Sequence, residues 1–306
     1  MGSAAKIRQA AVINPQSATS WRTLDVTRGE MPELPEVEAV RRTLEPAMLG
    51  ARFRRIVVRR PNLRIPFPKN FAERLKGRTV RALTRRGKFL LADLSSGETL
   101  IIHLGMSGSL DVAVETTNSA RRREADPHDH VVFGMSSGAT VTFNDPRRFG
   151  LMDLAARGQL ETYRALSAMG REPLSSEFDA ASLARVCRGR DTSLKAALMD
   201  QRVVAGLGNI YASEALHRAH LSPRRMASTI AGPTGAPRAG AHRLAAAIKK
   251  VLNDAVERAI ADSSRSSRFR VYDREGIRCP TKGCAGAIRR IVQAGRSTFY
   301  CPLCQR

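Results

Sequence analysis

The sequence predicts an α+β protein built from an N-terminal β-sandwich domain, a helical domain and a small cysteine-bearing module. Three observations carry this reading. Between residues 53 and 143, short apolar stretches alternate with Gly-marked turns. Beyond about residue 160 the pattern becomes helical. Four of the five cysteines cluster near the C-terminus. The expected division is a leader, 1–30; a β-sandwich domain with an N-terminal helix, 31–160; a helical domain, 161–267; and the terminal module, 268–306.

Residues 31–38 read Met-Pro-Glu-Leu-Pro-Glu-Val-Glu, a complete protein start 30 residues inside the chain. Residues 1–30 hold the only tryptophan, Trp21, but no sustained apolar period and no secretory segment. They are read as an over-long gene start, the alternative being a disordered tail. The difference is chemical. At an internal position the Pro32 nitrogen is an amide, its lone pair delocalised. At a terminus it is a free secondary amine.

A helix is expected from Pro35. Proline suits the first turn, Glu36 and Glu38 complement the N-terminal dipole, and Val37, Val40 and Leu44 share one face. Pro46 is expected to stop it. Strands are predicted over 53–58, 79–84, 88–94, 99–104, 131–133 and 140–143. Ser95-Ser96-Gly97 and Ser136-Ser137-Gly138 mark hairpin turns. The charged stretch 121–124 reads as a solvated loop. Helices are predicted over 182–187, 193–199, 209–219 and 241–260, with a Gly/Pro/Ala-rich loop over 230–240. Cys187 reads as a buried helical residue without function.

Lys and Arg total 51 against 28 acidic residues, a net charge of +23. Residues 1–30 hold four basic and two acidic side chains, which leaves +21 in 31–306. Positive charge in the folded body points to a polyanionic partner. A generally arginine-rich proteome is the competing explanation. No apolar run reaches membrane-spanning length.

Three local patterns carry chemistry. Cys279-x4-Cys284-x16-Cys301-x2-Cys304 has the spacing of a structural zinc site, closed by four thiolates. Such a module needs its metal to fold. Arg289, Arg290 and Arg296 lie between the cysteine pairs, suited to phosphate. Second, the glycine-rich turn Gly206-Leu207-Gly208 runs into a helix from Asn209, a start that suits an anion. Third, Asp145-Pro146-Arg147-Arg148-Phe149-Gly150 places an aromatic among cations, as a wedge in a base stack requires. Taken alone, Phe149 reads more readily as core, and Met106, in His103-Leu104-Gly105-Met106-Ser107-Gly108, as core by default.

Together these blocks, in this order, resemble the formamidopyrimidine-DNA glycosylase family. The resemblance runs from Pro32 to Arg306. It implies a β-sandwich domain, a helix–two-turn–helix domain and a zinc finger holding one Zn2+, with damaged double-stranded DNA bound between them. It also implies a monomer in the bacterial cytosol, and an activity that excises oxidised purines and cuts the strand at the abasic site. By resemblance Pro32 attacks the anomeric carbon. A secondary amine then gives an iminium with no N–H proton to lose, an electron sink for elimination of both phosphates. Glu33 is carried over as the general acid/base, and Glu36 as a supporting carboxylate. Lys88, on a strand facing the cleft, and Arg296 match phosphate-gripping groups of the reaction. His103, Lys195, Asn209 and Tyr272 match further DNA contacts, and Met106, Arg147 and Phe149 the trio that fills the space left by the flipped base.

Two departures stand out. The family carries a long segment, with a Gly-Gly-Thr-Thr-type motif and a loop that covers the flipped base, before the Val-Tyr that precedes the finger. Here only residues 261–270 fill that place. The first cysteine pair is also four apart, where two is usual. Two other readings are an endonuclease VIII-like enzyme for oxidised pyrimidines, and a non-catalytic damage-binding protein if residues 1–30 remain attached.

Overall fold

The computed structural model describes residues 31–114, 126–261 and 269–306. The expectations for the leader, for the charged stretch 121–124 and for 262–268 lie outside these. Helix α1 (Leu34–Met48) begins at Glu33, its N-cap, and Glu36 reaches back to accept the Glu33 backbone N–H at 2.9 Å. Val37, Val40 and Leu44 are buried on one face, as their spacing predicts. Pro46 does not stop the helix. It falls in the last turn, where its missing N–H removes one bond, and the Leu49 N–H still reaches the Glu45 carbonyl at 3.0 Å.

Eight strands follow: β1 (Phe53–Val58), β2 (Val80–Arg86), β3 (Phe89–Leu94), β4 (Glu98–His103), β5 (Ser109–Val114), β6 (Asp129–Met135), β7 (Ala139–Asn144) and β8 (Leu151–Ala156). A short helix α2 (Phe71–Leu75) joins β1 to β2. The strands form two antiparallel four-stranded sheets, β1-β6-β7-β5 and β2-β3-β4-β8. Their facing sides and α1 enclose a core of Phe53, Phe133, Phe143, Leu100 and Ile102, with the first two rings edge-on at 5.3 Å. Gly97 and Gly138, at φ +84° and +83°, close the two predicted hairpins. Lys88 departs from expectation: it lies in the two-residue turn between β2 and β3, not on a strand.

The helical part contains α3 (Arg164–Ser167), α4 (Ala180–Cys187), α5 (Leu194–Met199), α6 (Asn209–Arg218) and α7 (Ala239–Ala261). Asp179 and Ser193 cap α4 and α5 through their side chains. Cys187 is buried in this core, as predicted. The terminal module is a hairpin, β9 (Arg289–Gln293) and β10 (Arg296–Tyr300), beside the four cysteines.

Carboxylates join these parts. Glu172 accepts from the Gly87 N–H at 2.5 Å, from Arg85 at 2.7 Å and from Arg86 at 3.2 Å, which fixes the β2–β3 turn to the start of the helical part. Glu214, buried on α6, accepts the backbone N–H groups of Arg270, Val271 and Tyr272 at 2.9, 2.9 and 3.0 Å. Three charge-assisted bonds to one carboxylate tie α6 to the terminal module. Glu214→Ala is expected to lower stability by about 3 kcal/mol or more, because the N–H groups lose their acceptor inside the protein. Protease cleavage around residue 270 should rise in the same variant. Unchanged melting and cleavage would refute the tie.

Candidate active site and nucleic-acid interface

The site grows from the start of α6. Glu33 is 3 % exposed, and its carboxylate accepts from Gly208 N–H at 2.8 Å, Ile210 N–H at 2.9 Å and Tyr211 N–H at 3.4 Å. The anion-binding helix start expected from the glycine-rich turn thus holds a carboxylate of the chain itself. The neighbouring Leu34 N–H donates to the Gly206 carbonyl at 3.1 Å. Pro32 is buried and directly precedes Glu33 in the chain.

Gly208 shows how tight the assembly is. A Cβ there would lie 2.4 Å from Glu33 Cδ and 2.7 Å from Lys88 Nζ. The Lys88 ammonium and the Glu33 carboxylate therefore cover the same backbone atom. Glu36 accepts a short hydrogen bond from the Tyr211 hydroxyl and, through its other oxygen, the Glu33 N–H. Burial pushes the Glu36 carboxyl up to about 7, and the Glu33 charge adds to this against the Tyr211 bond.

The predicted phosphate contacts form two groups. Lys195 is drawn inside: Nζ donates to Asn209 Oδ1 and Thr298 Oγ1, both at 2.6 Å, and to the Ser297 carbonyl at 3.1 Å. All three ammonium protons have protein acceptors. Burial and the Arg296 cation push this amine down to about 8, against the pull of Glu33. Asn209 in turn donates to the Tyr272 hydroxyl at 3.3 Å, and Arg296 is exposed at the start of β10. A cavity lined by Tyr272, Arg290, Ser297 and Phe299 opens beside them. His103 ends β4 on the sandwich side. Its Nδ1 accepts the Gly105 N–H at 2.9 Å, which assigns the proton of the neutral ring to Nε2. Burial, then Lys88 and Arg64, push the imidazole down to about 4, so it is neutral at physiological pH.

Met106 and the Arg147–Phe149 segment lie on two turns tied by Asp145, which is 0 % exposed. Asp145 accepts from Ser107 Oγ at 2.5 Å and from the Gly150 N–H at 2.8 Å. Ser107 Oγ also accepts the Arg147 N–H at 3.2 Å. Gly105, at φ +68°, lets the second turn pass: a Cβ would lie 2.4 Å from the Phe149 carbonyl carbon. Phe149 is 43 % exposed, with the Arg147 guanidinium 4.9 Å from its ring centre. The core alternative for Phe149 is therefore excluded, while Met106 is half-buried. Sequence reasoning missed Asp145, Glu172 and Glu214 as the residues that hold these pieces. Only the Asp-Pro turn signal could have pointed to the first.

The cysteine sulfurs of Cys279, Cys284, Cys301 and Cys304 all lie within 4.8 Å of one another. Cys279 to Cys304 is 3.7 Å and Cys284 to Cys301 is 3.6 Å. A tetrahedron with Zn–S bonds of about 2.3 Å has edges of about 3.8 Å. The four thiols therefore fit one structural zinc ion and leave no open position on it.

Comparison with known proteins agrees with this architecture. Residues 31–152 match the formamidopyrimidine-DNA glycosylase N-terminal domain, 169–267 its H2TH domain, and 276–306 the zinc finger found in FPG and IleRS. The formamidopyrimidine-DNA glycosylase of Afipia carboxidovorans is 55 % identical over 295 residues, covering 90 % of this chain and 100 % of that protein. The chain belongs to the formamidopyrimidine-DNA glycosylase family. The glycosylase of Bradyrhizobium sp. strain ORS 278 is 56 % identical over 294 residues, with 90 % and 100 % covered. Among solved structures, the MutM (Fpg) protein of Thermus thermophilus superposes with a TM-score of 0.73 at 39 % identity, covering 90 % of this chain and 98 % of that one. Lactococcus lactis Fpg in complex with abasic-site DNA gives 0.76 at 29 % identity, covering 90 % and 100 %. Among the described residues, no helix is long and apolar enough to cross a membrane.

The Glu36 shift makes a pH prediction. Its carboxyl binds a proton more tightly folded than unfolded, so the stabilisation is complete below the ordinary value of 4.5 and is lost as pH rises through about 7. Glu36→Gln cannot ionise, so its stability relative to the parent should rise from pH 4.5 to pH 7. Denaturant melts of the two proteins across that range measure the difference. A flat or falling difference would contradict the assignment.

Proposed function

We propose that this glycosylase excises oxidised purines from double-stranded DNA and cleaves the strand at the abasic site, with Pro32 as nucleophile once it is the terminal residue. The observation that carries the reading is the convergence of Pro32, Glu33 and Lys88 on the start of α6 in a chain of this family. The Pro32 nitrogen bonds to the anomeric carbon as the glycosidic bond breaks and the base departs. Glu33 delivers the proton that opens the sugar at its ring oxygen. The resulting iminium draws electrons from the adjacent C–H bond, so a proton leaves there and the 3′-phosphate is expelled. A second elimination releases the 5′-phosphate.

Lys88 and Arg296 hold phosphates on either side of the lesion, and His103 donates from Nε2 to the backbone. Asn209 and Tyr272 line the same path, and Lys195 places Asn209. Met106, Arg147 and Phe149 enter the duplex from the two tied turns, with Arg147 reading the base left behind. The four thiolates hold a zinc that shapes the finger carrying Arg296. The units 31–160, 161–267 and 268–306 serve as the working division. The protein acts as a monomer in the cytosol. Relatives named for formamidopyrimidine favour the purine reading over the pyrimidine one.

Borohydride present during turnover on abasic DNA is expected to trap a covalent complex with protein starting at Pro32. If the intact 306-residue form traps DNA equally well, the amine assignment is wrong. Glu33→Gln should lose base excision by about 100-fold or more while keeping much of the cleavage of pre-formed abasic sites, where an aldehyde already awaits Pro32. Equal loss on both substrates would remove Glu33 from the acid role.

Lesion choice follows from the short link between α7 and Tyr272. Nine-tenths of 306 residues is about 275, so about 20 of the 295 positions aligned with the Afipia protein have no counterpart here. The link 261–270 is where the family's covering loop is missing from the sequence. Ring-opened and non-planar bases cost less to extrude than a stacked planar purine. Single-turnover excision should therefore be slower for 8-oxoguanine than for the ring-opened purine in matched duplexes. The opposite order would mean that another segment supplies the cover.

A further inference from the structure

Helix α6 makes a contact that the proposed chemistry does not use. His217, two turns beyond the Glu33 clasp, is 0 % exposed. Its Nε2 lies 3.4 Å from Cys279 Sγ and 3.2 Å from Thr281 Oγ1. Its Nδ1 is buried with no hydrogen-bond partner among the described residues. Among the described residues, the ring's hydrogen-bonding contacts therefore all lie on the side of the cysteine cluster. Thr281 Oγ1 lies 3.8 Å from Cys304 Sγ.

With four thiolates in place, these atoms admit one consistent proton pattern. A zinc-bound thiolate accepts hydrogen bonds and does not donate them. The Thr281 hydroxyl can point to Cys304 and leave its lone pairs to face the imidazole. Nε2 then carries the hydrogen and shares it between Cys279 and Thr281. The opposite tautomer would set the Nε2 lone pair against the Cys279 thiolate and leave an N–H donor at Nδ1, buried and without an acceptor, which costs at both nitrogens. The tautomer with hydrogen on Nε2 leaves only a lone pair there.

We propose that His217 is a positioning residue of the zinc site, donating its Nε2–H to the Cys279 thiolate from the helix that holds Glu33. Groups of this kind, beyond the direct ligands, orient a metal's ligands and tune their hold. Here the donor comes from the helical domain, so metal retention in the finger is tied to the helix that positions the lesion site. The inference rests on the zinc assignment but not on the base-excision chemistry.

The test uses zinc-loaded protein starting at Pro32, with His217→Leu and His217→Gln. Leucine fills much of the space without a donor, and glutamine restores an N–H. Zinc release to a colorimetric chelator is the first readout. Absorption of the cobalt-substituted protein, whose thiolate-to-metal charge-transfer band responds to hydrogen bonding at sulfur, is the second. His217→Leu should release zinc about 10-fold faster or more and shift the band to lower energy, and His217→Gln should recover both. A folded His217→Leu protein with unchanged release and band overturns the proposal. So does a folded His217→Gln protein that behaves as the leucine variant does. If the leucine variant does not fold, the glutamine variant decides alone: retained zinc and band support the donor, and their loss refutes it.

Discussion

The structure depends on one clasp: the Glu33 carboxylate in the backbone N–H groups at the start of α6. The carboxylate belongs to the sandwich domain and the N–H groups to the helical domain. The bonds are charge-assisted and buried, and the helix dipole adds to them. Their geometry requires glycine at 208, since any Cβ there would strike Glu33 and Lys88. Closing the domains and placing Pro32 are therefore a single event. The residue next to Pro32 is thus also the one that joins the two domains.

From this clasp the other positions follow. Leu34 buries into the helical core while Val37, Val40 and Leu44 bury into the sandwich, so α1 belongs to both. Glu172 repeats the arrangement on the far side of the β2–β3 turn and holds Lys88 near Gly208. Beyond the clasp, Lys195, Glu214 and His217 carry the connection into the terminal module. The turns that carry Met106 and Arg147–Phe149 are joined in a related way on a smaller scale, with Asp145 as the shared acceptor. In each case a carboxylate of one segment accepts backbone N–H or side-chain donors from another.

Much of this was legible from residues alone. The cysteine spacing, the turn into α6 and the α1 face each carry a local signal that the structure keeps. Six strands had alternating or β-branched patterns and glycine turns. Strands β5 and β8 did not. Ser109–Val114 and Leu151–Ala156 carry Asp111 and Asp153 in mid-run, where β3 has its acid one residue from the end, and such an acid needs a partner. For Asp153 that partner is the Tyr163 hydroxyl at 2.9 Å, on a neighbouring segment. Helices α2 and α3 are too short to show a period. In the site, the resemblance names Lys195 as a DNA contact, while its internal acceptors, up to 103 residues away, have no local signal. The clasp itself joins residues 175 apart, a contact that no local pattern encodes.

Helix α6 also works as a ruler. Nine residues separate Gly208 from His217, a rise of about 14 Å along a rigid rod. The N-terminal end of that rod holds Glu33, Glu214 reaches residues 270–272, and His217 lies against Cys279. Adding or removing one residue would rotate everything beyond it by about 100° and move it by about 1.5 Å. The finger would then lose its register with the Glu33 clasp even with both domains intact. The spacing along this rod therefore matters as much as the side chains it carries.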